Sequence, residues 1–385
     1  MTPSDRAGSP ADTPRLFDTL RGEVVPFEVG SDVSIYTCGI TPYQSTHVGH
    51  ATTFLTYDLL SRRLVDQGRR VRLVRNITDV DDDILRVARE REVNYLDLAA
   101  GEMARFDADL DALGLMPAWR EPRATSAIPE IRKFIGLILD RGHAYQAEGS
   151  VYFDSTSLPE FGELSRLDDD AMLGLSAQRG GRPDDPAKRN PLDFVLWQRS
   201  LPGEPAWTSR WGFGRPGWHI ECSTLCRREF DTATVDLHGG GVDLVYPHHE
   251  AERAQSIACC GAPLARHWMH QAMVHYDGAK MSKSLGNLVF LNDLLAHHEA
   301  CTVRLALMAT HYRTSWEWTP QRLTDAHDRL DRWRTAGSGS AALEPVRAAL
   351  DDDLEVPTAL ALIDEAADAG RGVSEAAGLL GVLVS

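Results

Sequence analysis

The sequence predicts an α/β fold of the nucleotidyl-transferring Rossmann type, with an insertion between its two halves and a helical C-terminal region. Three observations predict it. A strand–turn–helix–strand order stands near the front of the chain. The turn carries His47-Val48-Gly49-His50 at the start of the helix. Far down the chain, Lys280-Met281-Ser282-Lys283-Ser284 supplies a cationic loop.

The elements follow in order. Residues 1–30 read as an N-terminal extension; Met1 to Arg15 is Pro, Ser, Asp and Ala without the apolar stretch of a secretory signal. Val33 to Thr37 alternates as a short strand and runs into a turn, Cys38-Gly39-Ile40-Thr41-Pro42-Tyr43. His47 to Gln67 is a helix with Phe54, Leu55, Leu59, Leu60 and Leu64 on its apolar face. Val71 to Ile77 is the second strand. A βαβ unit binds ligands at the C-terminal ends of its strands, so 31–115 is the first half of the Rossmann domain. Residues 116–205 break the rhythm: a helix from Ile128 to Arg141, a β segment Ser150 to Phe153, and a polar Gly/Pro/Asp stretch from Gln178 to Pro191. They read as an inserted connective subdomain. The second half, 206–290, returns with strands at Val235 to His238 and His270 to His275. From 291 to 385 the pattern is helical, with a flexible joint expected at Gly337-Ser338-Gly339-Ser340.

Composition narrows the class. At 385 residues and 43% hydrophobic, the chain can build a large core divided over two or three domains. No apolar run is long enough to cross a bilayer. The six cysteines lack disulfide-framework spacing, which points to a cytoplasmic protein with reduced thiols. The net charge of −16 disfavours nonspecific attraction to a polyanion such as tRNA. Residues 291–385 repeat the bias, with 8 Lys and Arg against 15 Asp and Glu.

The motifs carry the chemistry of carboxylate adenylation. A carboxylate attacks the α-phosphate of ATP and expels pyrophosphate. His47 and His50 at a helix N-terminus can donate hydrogen bonds to phosphate oxygens as charge gathers there, and Gly49 permits close approach. Lys280 and Lys283 can reach the β- and γ-phosphates of Mg2+-bound ATP. Cys38, Cys222, His248 and Glu252 make a tetrahedral zinc set, with His248 and Glu252 on one helix face. If all four bind, substrate adds a fifth bond or displaces Glu252; if three bind, one position is open. A zinc ion in a substrate pocket selects a thiolate. Gly239-Gly240-Gly241 lets a ligand lie against bare backbone, Asp243 can hold an ammonium, and Trp218 can wall the pocket. Cys226, Cys259, Cys260, His249 and His219 read as ordinary structural residues.

These stretches resemble the cysteinyl-tRNA synthetases and their relatives. The resemblance rests on Cys38 to Thr41, the H-x-G-H turn, Asn76-Ile77-Thr78-Asp79-Val80-Asp81-Asp82, Gly217 to Cys222, His238 to Gly241, Pro247 to Glu250 and the Lys-Met-Ser-Lys-Ser loop. It implies a class I aminoacyl-tRNA synthetase-type catalytic domain. It also implies zinc on Cys38, Cys222 and His248. The cysteinyl-adenylate would then lie against Cys38, Gly39, Ile40, Thr41, Thr53, Asn76, Ile77, Thr78, Trp218, Gly241, Val242, Asp243 and Val274. Within that group the closer resemblance is to the mycothiol ligases, which join cysteine to glucosaminyl-inositol. Cys38 to Tyr43, Gln178 to Arg189 and the short C-terminal end after Val356-Pro357 carry it. The partners then implied are L-cysteine, ATP and an amino-sugar acceptor, handled by a monomer without tRNA or membrane. Glu252, Lys280 to Asn287 and Arg189 to Phe194 are synthetase-like, and Gln44-Ser45 stands where Asp-Ala is expected. The departures leave a tRNA acceptor, or another amine, as alternatives.

Overall fold

The computed structural model describes residues 13–281 and 286–384. A hairpin, β1 (Arg15–Asp18) and β2 (Glu23–Pro26), comes first, inside the expected extension. It is fastened to the body by Thr19 N–H donating to the Trp268 carbonyl at 2.8 Å. The βαβ unit follows as β3 (Asp32–Ile40), α1 (Val48–Asp66) and β4 (Arg70–Ile77). His47 starts α1: its backbone is extended, and its ring accepts from the N–H groups of Gly49 and His50. Gly68, at φ 79°, turns the chain after the helix.

The expected turn at Cys38 to Tyr43 is corrected. Cys38, Gly39 and Ile40 belong to β3, and the register against β4 slips between Thr37 and Ile40. Gly39 allows this bulge, since a Cβ there would stand 1.8 Å from the Asn76 carbonyl oxygen.

α2 (Asp82–Glu90) and α3 (Tyr95–Ala112) are capped by Asp81 and Asn94. α4 (Ile128–Asp140) leads to β5 (Ala144–Ala147) and β6 (Ser150–Phe153), then α5 (Asp169–Gln178), β7 (Phe194–Arg199), β8 (Trp207–Ser209) and β9 (Gly212–Pro216). These five strands make an antiparallel sheet in the order β5-β6-β7-β9-β8. The sheet runs past residue 205, where the sequence suggested a boundary, because β9 is the partner that joins β7 to β8.

The chain returns as α6 (Trp218–Phe230), β10 (Val235–Gly241), α7 (Glu250–Cys260) and β11 (Ala265–Gln271). The main sheet is fully parallel, ordered β11-β10-β3-β4. The chain adds β4 on one side of β3 and β10 and β11 on the other, so the strand order switches between β3 and β10 and a crevice opens at their C-terminal ends. Both faces are covered, so β3, expected as an alternating strand, is buried along nearly its whole length. Trp268 on β11 is fully buried, a contribution of roughly 1.5–3 kcal/mol or more from apolar burial alone. The expected strand from His270 to His275 is two: β11 ends at Gln271, and β12 (Val274–Tyr276) pairs instead with β13 (Ala279–Lys280) and β14 (Trp316–Glu317).

The remaining chain is helical: α8 (Leu291–His297), α9 (Ala300–Met308), α10 (Gln321–Ala336), α11 (Leu343–Asp351), α12 (Val356–Asp368) and α13 (Ser374–Leu379). α1 packs between the parallel sheet and this bundle, so it is buried on more than its apolar face. The buried guanidinium of Arg304 on α9 meets Asp58 on α1 and donates to the Leu380 carbonyl at 2.7 Å. Gly337 to Ser340 is not a loose joint. Ala341 N–H donates to Gly372 O at 3.0 Å, and Val373 N–H to Gly337 O at 3.0 Å. Among the described residues no helix is long and apolar enough to cross a membrane.

Candidate active site

A cavity of about 740 Å³ opens at the crevice between β3 and β10. Of the residues expected to touch the adenylate, Cys38, Gly39, Ile40, Thr41, Thr53, Asn76, Thr78, Trp218, Gly241, Asp243 and Val274 line it. Ile77 and Val242 do not: Ile77 is packed in the core, and Val242 points to solvent at 41% exposure. Asn76 holds the bulge, its Oδ1 accepting from Gly39 N–H at 2.9 Å. Thr41 donates to Asp81 Oδ2 at 3.0 Å.

The triple glycine has a different cause from the one its sequence suggests. A Cβ at Gly239 would stand 2.1 Å from the Tyr57 hydroxyl oxygen, and one at Gly240 would stand 2.8 Å from Leu244. Tyr57 itself donates to the carbonyls of Gly240 and Met269. Helix packing on the strand therefore demands Gly239, Gly240 chiefly meets the end of the Leu244 side chain in the following turn, and of the three Gly241 alone borders the cavity.

The four expected metal ligands come together. The donor atoms of Cys38, Cys222, His248 and Glu252 all lie within 4.8 Å of one another and are buried. Cys38 is at the end of β3 and Cys222 in the second turn of α6. Glu252 is in the first turn of α7. His248 is not on that helix but on the wide turn before it, and its Nε2 is still 3.8 Å from Glu252 Oε2. Burial pushes the thiols of Cys38 and Cys222 up and the imidazole of His248 down. Glu252 Oε1 is buried without a hydrogen-bond partner. Two sulfurs, a neutral ring nitrogen and an orphaned carboxylate oxygen suit a zinc ion. Cys38, Cys222 and His248 face the cavity, while Glu252 stands behind them. Trp218 stacks on His248, with ring centroids 4.1 Å apart.

Sequence reading missed three histidines here. Cys38, His238, His249 and Glu252 form a second convergent set, and His238 Nε2 lies 3.0 Å from Glu252 Oε2. Its two histidines sit deeper, away from the cavity wall. His219 lines the cavity, with Nδ1 2.9 Å from His248 Nδ1. Their signal was adjacency: His219 lies three residues before Cys222, and His249 follows His248.

On the opposite side, the rings of His47 and His50 stack at 3.7 Å and both border the cavity. His47 Nδ1 accepts from Gly49 N–H at 3.1 Å. Nε2–H is therefore left as its donor. Lys280 lies on the edge strand β13 next to Met281, which lines the cavity; Lys283 lies outside the described residues. The inserted chain supplies a wall that motif reading did not place at the site. Arg179, Arg182, Asp185 and Lys188 all line the cavity. Arg179 donates to the carbonyls of Asp243 and Tyr246, so it clamps this wall to the turn that follows β10.

A parallel sheet with a switch-point cavity, a histidine turn and a cysteine-rich donor set defines an adenylate-forming enzyme. A model of the family described as tRNA synthetases class I (C) catalytic domain matches residues 25–328, and the chain belongs to that family of ATP-dependent ligases. Two relatives illustrate where in the family it falls. It is 43% identical over 373 residues to the L-cysteine:1D-myo-inositol 2-amino-2-deoxy-alpha-D-glucopyranoside ligase of Streptosporangium roseum, covering 94% of this chain and 91% of the relative. It is 46% identical over 366 residues to the enzyme of that name from Thermobifida fusca, covering 92% and 88%. Among solved structures, methionyl-tRNA synthetase of Mycobacterium tuberculosis with methionyl-adenylate superposes with a TM-score of 0.65 at 15% identity, covering 88% of this chain and 83% of that one. Leucyl-tRNA synthetase of Agrobacterium radiobacter K84 gives 0.61 at 11% identity, covering 92% and 83%. These two likenesses bear on the fold.

Proposed function

We propose that the enzyme activates L-cysteine with ATP and Mg2+ to cysteinyl-AMP, and then passes the cysteinyl group to the amine of glucosaminyl-inositol, the cysteine-ligating step of mycothiol assembly. The observation that carries this is the convergence of Cys38, Cys222 and His248 on the wall of the cavity that His47 and His50 also border, in a chain 43–46% identical to ligases of that name. A zinc ion held by Cys38, Cys222 and His248, with Glu252 behind, would supply a Lewis acid that prefers a thiolate to a hydroxyl. Trp218 packs against His248 and keeps that end of the cavity apolar. Asp243 receives the cysteine ammonium. His47 Nε2–H and His50 donate to phosphate oxygens as the carboxylate attacks and pyrophosphate leaves. Lys280 and Lys283 are assigned the departing phosphates. In the second step the deprotonated amine attacks the cysteinyl carbonyl; AMP leaves and the amine gives up its second proton. The enzyme is proposed to act as a cytoplasmic monomer.

Cysteine-dependent exchange of pyrophosphate into ATP tests the first step, with serine as the control. Release of AMP from the preformed adenylate by glucosaminyl-inositol, compared with bulk tRNA, tests the second. Amide formation should rise with pH toward the pKa of the acceptor amine, more steeply than exchange does. Cysteinylation of tRNA at comparable efficiency would replace this reading with that of a cysteinyl-tRNA synthetase. Exchange without either acceptor would point to another amine.

A further inference from the structure

The segment from Gln178 to Lys188 is held in place yet leaves selected side chains unengaged. Arg179 is clamped on the Asp243–Tyr246 turn, Lys188 donates to the Gly181 carbonyl, and Asp185 accepts from the Tyr152 hydroxyl at 3.1 Å. Gly181 fits tightly, since a Cβ there would stand 2.0 Å from Ser176 Oγ. Among the described residues, the side chains of Gln178 and Arg182 have no hydrogen-bond partner, and both border the cavity. Arg182 is also in the left-handed region at φ 44°, directly before Pro183. A non-glycine residue is disfavoured there twice, by its own Cβ and by the following proline. Glycine would be the relaxed choice, so arginine at that position costs stability.

Charge decides what this wall suits. The described cationic side chains on the cavity are Arg179, Arg182, Lys188 and Arg215. Asp81, Asp82, Asp83, Asp185 and Asp243 face the same space. Arg179 and Lys188 already donate to backbone carbonyls and Arg215 is paired with Asp82, so among the described residues this wall offers no cluster of free cations, whereas a polyol with an amine meets mixed donors and acceptors. Resting on the function proposed above, we propose that Gln178, Arg182 and Asp185 form the subsite for the hydroxyl-rich inositol half of the acceptor. Arg182 donates to its hydroxyls, and Arg179 positions this wall against the Asp243 turn.

Calorimetric titration of the zinc-loaded enzyme, holding a non-hydrolysable cysteinyl-adenylate analogue, tests this with glucosaminyl-inositol and with glucosamine, which lacks the inositol. The parent should bind the pseudodisaccharide more tightly. Arg182→Gly should weaken that binding about tenfold or more, the scale of one lost charged hydrogen bond, and leave glucosamine affinity alone. Its melting temperature should stay level or rise, because glycine relaxes the backbone; an unfolding artefact would lower it. Parent-like pseudodisaccharide binding by Arg182→Gly, or equal losses for both ligands, would overturn the subsite while leaving the acceptor reading intact. Failure of the parent to bind glucosaminyl-inositol at all would overturn both.

Discussion

The backbone N–H of Val48 donates to the carbonyl of Val289 at 2.9 Å, and Leu291 N–H returns a bond to the Thr46 carbonyl at 2.9 Å. The H-x-G-H turn and the chain just after the K-M-S-K-S loop are therefore paired backbone, although the sequence holds them far apart. Val48 opens α1, so its N–H is one of the donors a helix leaves unsatisfied at its start. Val289 satisfies it. The pairing anchors the base of the cationic loop to the helix that presents His47 and His50.

His47 has two separable tasks, and substitution should split them. Its Nδ1 caps α1, and its ring borders the cavity. His47→Ala should cost about 1 kcal/mol of stability through the lost cap. His47→Asn should keep the cap and the melting temperature, yet lose on the order of 10²–10³ in pyrophosphate exchange. Exchange near the parental rate in the Asn variant would remove His47 from the chemistry.

Cys38→Ala and Cys222→Ala should each lose stoichiometric zinc and discriminate poorly between cysteine and serine. Both thiols are buried and pushed up, so a bound cation is what would make them thiolates. Metal analysis of the purified variants checks this. Full zinc in both would exclude these residues from a metal site.

Asp58→Ala should destabilise the fold by about 3–5 kcal/mol, measured by denaturant unfolding. The substitution strands the Arg304 guanidinium, whose side chain is 1% exposed, without its counter-charge. Asp58 also accepts from Met116 N–H at 2.7 Å, which the variant would lose. A midpoint unchanged from the parent would show that α9 and α1 are held by apolar packing alone.

Burial pushes Asp81 up from 3.8 to about 6. Folding thus favours its protonated form. Its contribution to stability is full below the unfolded value and is lost as pH rises through the folded one. Asp81→Asn keeps an N-cap for α2 and removes the titration. The melting temperature of the variant relative to the parent should therefore climb between about pH 4 and about pH 7 and level off above. A difference independent of pH would contradict the buried ionisation.

The sequence by itself determined the local patterns: the βαβ order, the start of α1 at His47 and the motif residues. Such features are legible because periodicity, capping and motif chemistry act over a few residues. Only the tertiary structure decided what non-local pairing controls. The bulge that carries Cys38 to Ile40 into β3 depends on Asn76 across the ladder. Gly239 answers to Tyr57 on α1, not to a ligand. His219, His238 and His249 join the site through strand and helix packing, and Gly337 to Ser340 is tied down by the chain before α13. The inserted wall reaches the cavity because Arg179 finds two carbonyls more than sixty positions away. No window of sequence contains both ends of such a bond, and the free energy of closing it belongs to the whole fold.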